Sequence, residues 1–315
     1  MKEKETEMKT VPNKYHTHIS SKHNLFNLNL KEVWKYRDLI WLFTKRSFAL
    51  TYKQTILGPL WIFFNPVISS LIYAIVFGGI AGFAPEGTPV FAYYLASNAV
   101  WTFFSTCVTQ NASTFTANAA VFGKVYFPRL TVPISNMISS VVQFLIQFVM
   151  AILCMAASWI FVTCGLPVTG FGAVEGVIQT LTPPQWELIP LILLVLIHLG
   201  ALGLGVGVIV SSLTTKYRDL SILVTFGVQL WMYITPVVYP LTTITDEVAR
   251  TVMMYNPVTP PIELFRAVLF GADYAMLLDP SYLIAYGVSI LVTIVLLFGG
   301  IMIFNKVERT FSDTV

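Results

Sequence analysis

Charge is what this sequence most lacks. Of its 315 residues only 11% are Asp, Glu, Lys or Arg, while 56% are hydrophobic. Soluble domains carry about a quarter charged residues. A chain with a mean hydropathy of +0.72 cannot clothe its surface for water, so its main solvent is lipid. Cysteine is also scarce: Cys107, Cys154 and Cys164 form no CxxC pair and no metal-ligand spacing. They read as small buried hydrophobes rather than a disulfide framework or a metal site. A secretory signal needs a basic start followed at once by an apolar core, but residues 1–29 are polar throughout, with Lys, Glu, His and Asn. That arm has little to bury and reads as disordered at its start.

Two chemical absences narrow the function. No G-x-x-x-x-G-K-[ST] loop occurs, because Gly123-Lys124 has Asn118 where the first glycine belongs and Val125 where the hydroxyl belongs. The chain therefore has no cradle for ATP phosphates and is expected to be no enzyme and to bind no cofactor or metal itself. The apolar blocks contain one ionisable side chain, His198, and no Asp or Glu. Buried acids are how proton- and ion-coupled carriers work, so energy must come from elsewhere. His198 alone reads as a hydrogen-bonded core residue.

What is present is a series of long apolar blocks. About 20 apolar residues cross the hydrocarbon core as a helix. Six segments meet that length: 60–79, 91–115, 134–162, 188–213, 220–239 and 282–304. Lys and Arg set the orientation, since they stay on the cytoplasmic side. With six spans, 17 of the 19 fall on the side shared by both termini, and only Arg250 and Arg266 fall opposite. The fold expected is all-α: 1–29 a polar arm, 30–58 an amphipathic interface helix and connector, and 59–315 a six-span membrane domain. Both termini face the cytoplasm. Between the fifth and sixth spans, 248–255 and 262–270 are too short to span and read as two short re-entrant or outer helices.

Several features bear on function. Val33, Tyr36, Ile40 and Phe43 recur at helical spacing, opposite Lys31, Lys35, Asp38 and Lys45. Such a helix lies at the interface, either as a plain anchor to anionic lipid or as a dock for a cytosolic partner. Asn98, Thr102, Ser105 and Thr109 share one face of the second span, and Asn136, Ser140, Gln143 and Gln147 one face of the third. Uncharged hydroxyls and amides suit a path for a hydroxyl-rich solute, and equally suit hydrogen bonds between helices. Trp101 and Tyr233 could stack on sugar rings or sit in an interfacial belt. In the fourth span Gly203, Gly207 and Ser211 stand at small-xxx-small spacing, which favours close helix packing.

At this point the residues resemble a known family. Tyr52-Lys53-Gln54-Thr55-Ile56-Leu57-Gly58-Pro59-Leu60-Trp61, followed by Asn65-Pro66, is similar to the entry to the first span in permease subunits of type-2 ABC exporters. The branch it most resembles exports O-antigen, capsule and teichoic acid chains. Lys124-Val125-Tyr126-Phe127-Pro128-Arg129, Lys216-Tyr217-Arg218-Asp219, the run from Tyr233 to Pro240, and Asn256-Pro257 resemble that branch in the same order. The resemblance implies a permease that pairs with itself and with two copies of a separate ATPase, which holds the ATP and Mg. It implies coupling to that ATPase through Lys124, Tyr126, Phe127, Pro128 and Arg129 and through Lys216, Tyr217, Arg218 and Asp219. It places Lys45, Arg46 and Lys53 near the pyrophosphate of an undecaprenyl-linked polysaccharide; on the residue reading above, the two polar stripes with Trp101 and Tyr233 would line the path of its sugar chain. The compartment implied is the bacterial inner membrane, with no nucleic acid among the partners. An ABC exporter of drugs or small lipids, or a membrane scaffold or lipid-binding protein without ATP coupling, remains an alternative at this stage.

Overall fold

The computed structural model describes residues 30–52, 55–83, 88–125, 127–163, 186–217, 219–271 and 277–314. These residues fold as helices, with no strand among them. The polar arm, Lys53, Tyr126, Arg218 and most of the 165–187 loop lie outside them.

The interface segment folds as two helices, α1 (Leu30–Lys35) and α2 (Arg37–Tyr52), where one continuous helix was expected. The turn falls at Tyr36. Val33, Ile40 and Thr44 are buried, with Tyr36 and Phe43 beside them, so this face packs onto the bundle. Trp34, Trp41 and Lys45 stay exposed, and the Lys45 ammonium lies 5.3 Å from the centre of the Trp41 ring.

Helix α3 (Trp61–Tyr73) carries Pro66 inside it and continues as a π-helical stretch, Ala74–Ile80. Proline withholds one amide donor, and the helix absorbs this while Ile62, Pro66, Ser70, Ala74 and Gly78 form its buried face. That face meets α4 (Val90–Ala112). After Ser113 the chain continues as α5 (Thr114–Phe122) and returns through α6 (Thr131–Thr163). Helix α4 is the hub, packing against α3, α6 and also α7 (Pro190–Thr214), α8 (Leu220–Ile234) and α10 (Thr259–Phe270). The last helix is α11 (Pro280–Thr314).

Glycines let the central helices touch backbone to backbone. A Cβ on Gly207 would stand 2.6 Å from Asn111 Cβ, and one on Gly203 would stand 2.8 Å from Cys107 Cβ, both on α4. A Cβ on Gly205 would meet the Leu297 nitrogen of α11 at 2.8 Å. The glycine run of the fourth predicted span thus serves α4 on one side and α11 on the other.

Four helical segments are long and apolar enough to cross a membrane: Gly58–Ile80, Thr131–Ile160, Pro190–Thr214 and Pro280–Val307. They match the first, third, fourth and sixth predicted spans. At the second, α4 has 23 residues and carries the polar stripe, with most of its side chains buried by neighbours. At the fifth, α8 is apolar but 15 residues long, because the chain leaves the helix at Thr235-Pro236. Between α8 and α11 stand α9 (Glu247–Met254) and α10. Asp246 caps α9 by accepting the Val248 N–H at 2.8 Å, and Gly271, at φ 63°, ends α10 in the left-handed turn that favours glycine.

The bundle has two distinct ends. At one, Val33, Ile40, Phe122, Phe127 and Phe304 form an apolar cluster under α1 and α2. At the other, Leu241, Met254, Tyr282 and Ala285 cluster beside α9. Tyr282 and Phe304 lie on one helix, so these clusters are roughly 33 Å apart.

Candidate functional site

At the α2 end a cavity of about 240 Å³ lies between α2, α4–α5 and the first turns of α6. Its polar wall includes Arg46 and Ser47 of α2, Gln110, Ser113 and Asn118 of the α4–α5 arm, and Asn136 of α6. Asn136 donates through Nδ2 to Asn111 Oδ1 at 3.2 Å and to the Gln110 carbonyl at 3.4 Å. Gln110 Oε1 and Asn111 Nδ2 are buried without a hydrogen-bond partner in the protein. The side chains that do line the cavity, the cation of Arg46 with the hydroxyls and amides of Ser47, Ser113, Asn118 and Asn136, suit a polar ligand bearing hydroxyls and negative charge.

The cavity joins two sets of residues that the sequence placed apart. Arg46 belongs to the expected pyrophosphate entrance and Asn136 to the expected conduit. Lys45 points away to Trp41, and Lys53 lies outside the described residues.

The polar stripes divide. Thr102, Ser105, Thr109 and Gln143 are half-buried, whereas Asn98, Trp101, Ser140 and Gln147 are buried among the helices. The stripe hydroxyls donate within their own helices: Ser105 to the Thr102 carbonyl, Thr109 to Ser105, Ser140 to Asn136. Across helices, Asn136 bonds to Gln110 and Asn111 of α4, and Ser140 bonds the Cys107 thiol of the same helix. Trp101 packs on Phe104 at 5.5 Å, and Tyr233 is exposed on α8.

The two loops expected to couple also separate by environment. Lys124 is exposed, Pro128 and Arg129 are half-buried, and the Arg129 guanidinium lies 5.5 Å from the Phe122 ring centre. Phe127 is buried, with its ring 5.6 Å from both Phe43 and Phe122. It therefore fastens the 123–130 loop to α2. Lys216, Tyr217 and Asp219 are exposed at the start of α8. Among the described residues no His, Cys, Asp and Glu gather as a metal site would require.

The opposite end holds polar contacts that sequence reasoning missed. Arg266, 5% exposed, donates to Ser97 Oγ at 2.9 Å, to Glu263 Oε1 at 3.0 Å and to the Val237 carbonyl, with its guanidinium 4.6 Å from the Tyr93 ring centre. The signal was an arginine inside the apolar run 262–270, counted before only as an outer charge. Asn256 accepts from Trp231 Nε1 at 3.1 Å and donates to Thr235 Oγ1 at 2.8 Å, which ties the α9–α10 elbow to α8.

Relatives place this architecture. The O-antigen export system permease protein RfbA of Myxococcus xanthus is 27% identical over 290 residues, covering 91% of this chain and 98% of its own. Two proteins of the same description from Klebsiella pneumoniae are 28% and 26% identical, each covering 88% of this chain and 94% of their own. Residues 38–270, which run from α2 through the cavity walls to the end of α10, match the model of the ABC-2 type transporter family, and the chain belongs to that family.

Proposed function

We propose that this protein is the membrane-spanning permease of an ATP-driven exporter of lipid-linked polysaccharide of the O-antigen class. The observation that carries this reading is the near end-to-end likeness to three O-antigen export permeases. The cavity supports it, because amides, hydroxyls and Arg46 fit a sugar chain that begins at a phosphate.

In this reading all six predicted segments cross the inner membrane, with α9 and α10 as short outer helices and both termini in the cytoplasm. Helix α4 rises roughly 35 Å, which is enough to cross. It tolerates its polar stripe because α3, α6, α7 and α8 shield it. Two copies of the chain and two of an ATPase make the working exporter, with ATP and Mg held by the ATPase. Lys124 and Arg129 on one loop and Lys216, Tyr217 and Asp219 on the other meet that ATPase. Phe127 acts from within, by carrying loop movement to α2 and hence to Arg46.

The test is co-purification with a separate ABC ATPase subunit from the same cells, followed by surface-glycan complementation in cells lacking the chain. The reading predicts a complex, restored glycan, and lost export in Lys124→Ala/Arg129→Ala with the complex still formed. Drug or small-lipid efflux without glycan rescue would favour that rival. A chain that binds no ATPase in mild detergent would be a scaffold or lipid-binding protein.

A further inference from the structure

His198 sits in α7, 7% exposed, with Nε2 3.0 Å from Thr293 Oγ1 and 3.1 Å from Ser289 Oγ of α11. Each hydroxyl also has a carbonyl within donating distance. Thr293 donates to the Ser289 carbonyl at 2.8 Å, and Ser289 donates to the Pro257 carbonyl. A carbonyl can only accept, so with both of these bonds made neither hydroxyl has a proton left for the imidazole. Nε2 is then the donor, and Nδ1, which is buried without a partner in the protein, carries the lone pair rather than a stranded proton.

The contact chain has a direction. His198 belongs to α7, whose far end leads into the exposed residues Lys216, Tyr217 and Asp219, about 24 Å further along the helix. Ser289 belongs to α11 and holds Pro257 in the α9–α10 elbow. Tyr282, also on α11, donates to the Pro260 carbonyl at 2.8 Å. Nearer the middle, α7 and α11 touch through Gly205 and Gly300, where a Cβ on Gly300 would stand 2.8 Å from the Gly205 carbonyl oxygen.

We propose that His198, as the Nε2–H tautomer, is a positioning residue that makes α7, α11 and the 255–258 elbow move as one body. A shift at the 216–219 loop would then reach the α9–α10 pair at the other end of the bundle. The fastening is polar and directional, so it keeps α7 and α11 from rotating past each other, which the glycine contact alone would allow. This rests on the ATP-driven reading above for what drives the loop; the tautomer does not.

The tautomer is tested in the full chain with His16, His18 and His23 replaced by Ala, leaving His198 to be read by ¹⁵N NMR in bilayers. A one-bond proton coupling on Nε2 and none on Nδ1 is expected, and a proton on Nδ1 would overturn the assignment. The coupling role is tested with the ATPase present, as glycan exported per ATP hydrolysed, in His198→Gln, His198→Asn and Ser289→Ala. A Gln amide nitrogen reaches the Nε2 position, whereas an Asn amide mimics Nδ1. His198→Gln should keep the ratio, while His198→Asn and Ser289→Ala should lower it roughly 2- to 30-fold at unchanged protein level. Wild-type ratios in His198→Asn and Ser289→Ala would overturn the role, as would equal losses in Gln and Asn. If the partner ATPase hydrolyses ATP in complex with the unaltered chain and no glycan is exported, the substrate reading fails and the tautomer result still stands.

Discussion

Gly299 and Gly300 are neighbours on α11 that should respond oppositely to the same substitution. A Cβ on Gly299 would meet nothing within 4 Å. A Cβ on Gly300 would stand 2.8 Å from the Gly205 carbonyl oxygen and 3.2 Å from Ile209 Cγ1, against the 3.4 Å at which ordinary contact begins. Backbone must yield at Gly300, since the nearer atom belongs to α7 itself. Overpacking of this kind costs about 1–3 kcal/mol. Both substitutions share the same helix-propensity gain, about 1 kcal/mol for Gly to Ala, so it cancels in their difference. Gly300→Ala should therefore be less stable than Gly299→Ala by about 1–3 kcal/mol, a roughly 5- to 150-fold change in the unfolding equilibrium. Gly299→Ala itself should equal or exceed the wild type. The assay is thermal unfolding of each purified variant in one detergent, followed by the loss of monodisperse protein. Equal midpoints for the two alanines would refute the backbone contact between α7 and α11.

Arg266→Met should cost about 3–5 kcal/mol, because it leaves the Glu263 carboxylate inside without its guanidinium; adding Glu263→Gln should recover most of that loss in the same assay, and a double variant no better than the single would refute the account. Asn256→Ala should cost about 1–3 kcal/mol by stranding Trp231 Nε1 and the Val258 N–H, and Asn256→Asp should fall between, since it still accepts from both. Asp279 begins α11, and its bonds from the Ser281 hydroxyl and N–H hold its carboxyl below the ordinary 3.8. Its contribution to stability is full above 3.8 and fades as pH falls through the lower folded value, so Asp279→Asn should remove that part of the acid sensitivity, as followed by unfolding midpoints across pH.

Much of the architecture was legible because lipid imposes simple rules on a chain. Length and apolarity marked α3, α6, α7 and α11, and the exposed and buried faces of α2 followed from its periodicity. The second and fifth segments, α4 and α8, were legible as apolar blocks, yet neither has the length and hydropathy that the other four combine. Composition describes contact with lipid, and α4 meets mostly protein. The candidate site was legible as residue types in two places: a cation on α2, Arg46, and an amide on α6, Asn136. That Arg46 and Asn136 share one cavity follows from α2 docking on α6, a contact between residues about 90 positions apart in the sequence.

Sequence by itself determined the helical, apolar class of the chain and the short helices before the last segment. Those follow from one-dimensional quantities: run length and charge count. Tertiary structure decided which polar groups face one another. Phe127, expected on a coupling surface, is buried against Phe43 and Phe122, while Lys124 in the same loop is exposed. Gly299 and Gly300 are chemically identical, and only helix rotation tells which one touches α7. His198 has no acid near it in sequence, and its tautomer is set by two hydroxyls from α11 and a carbonyl from the elbow. Hydrogen bonds act over about 3 Å, so their partners are fixed by packing, which brings together residues that the chain separates.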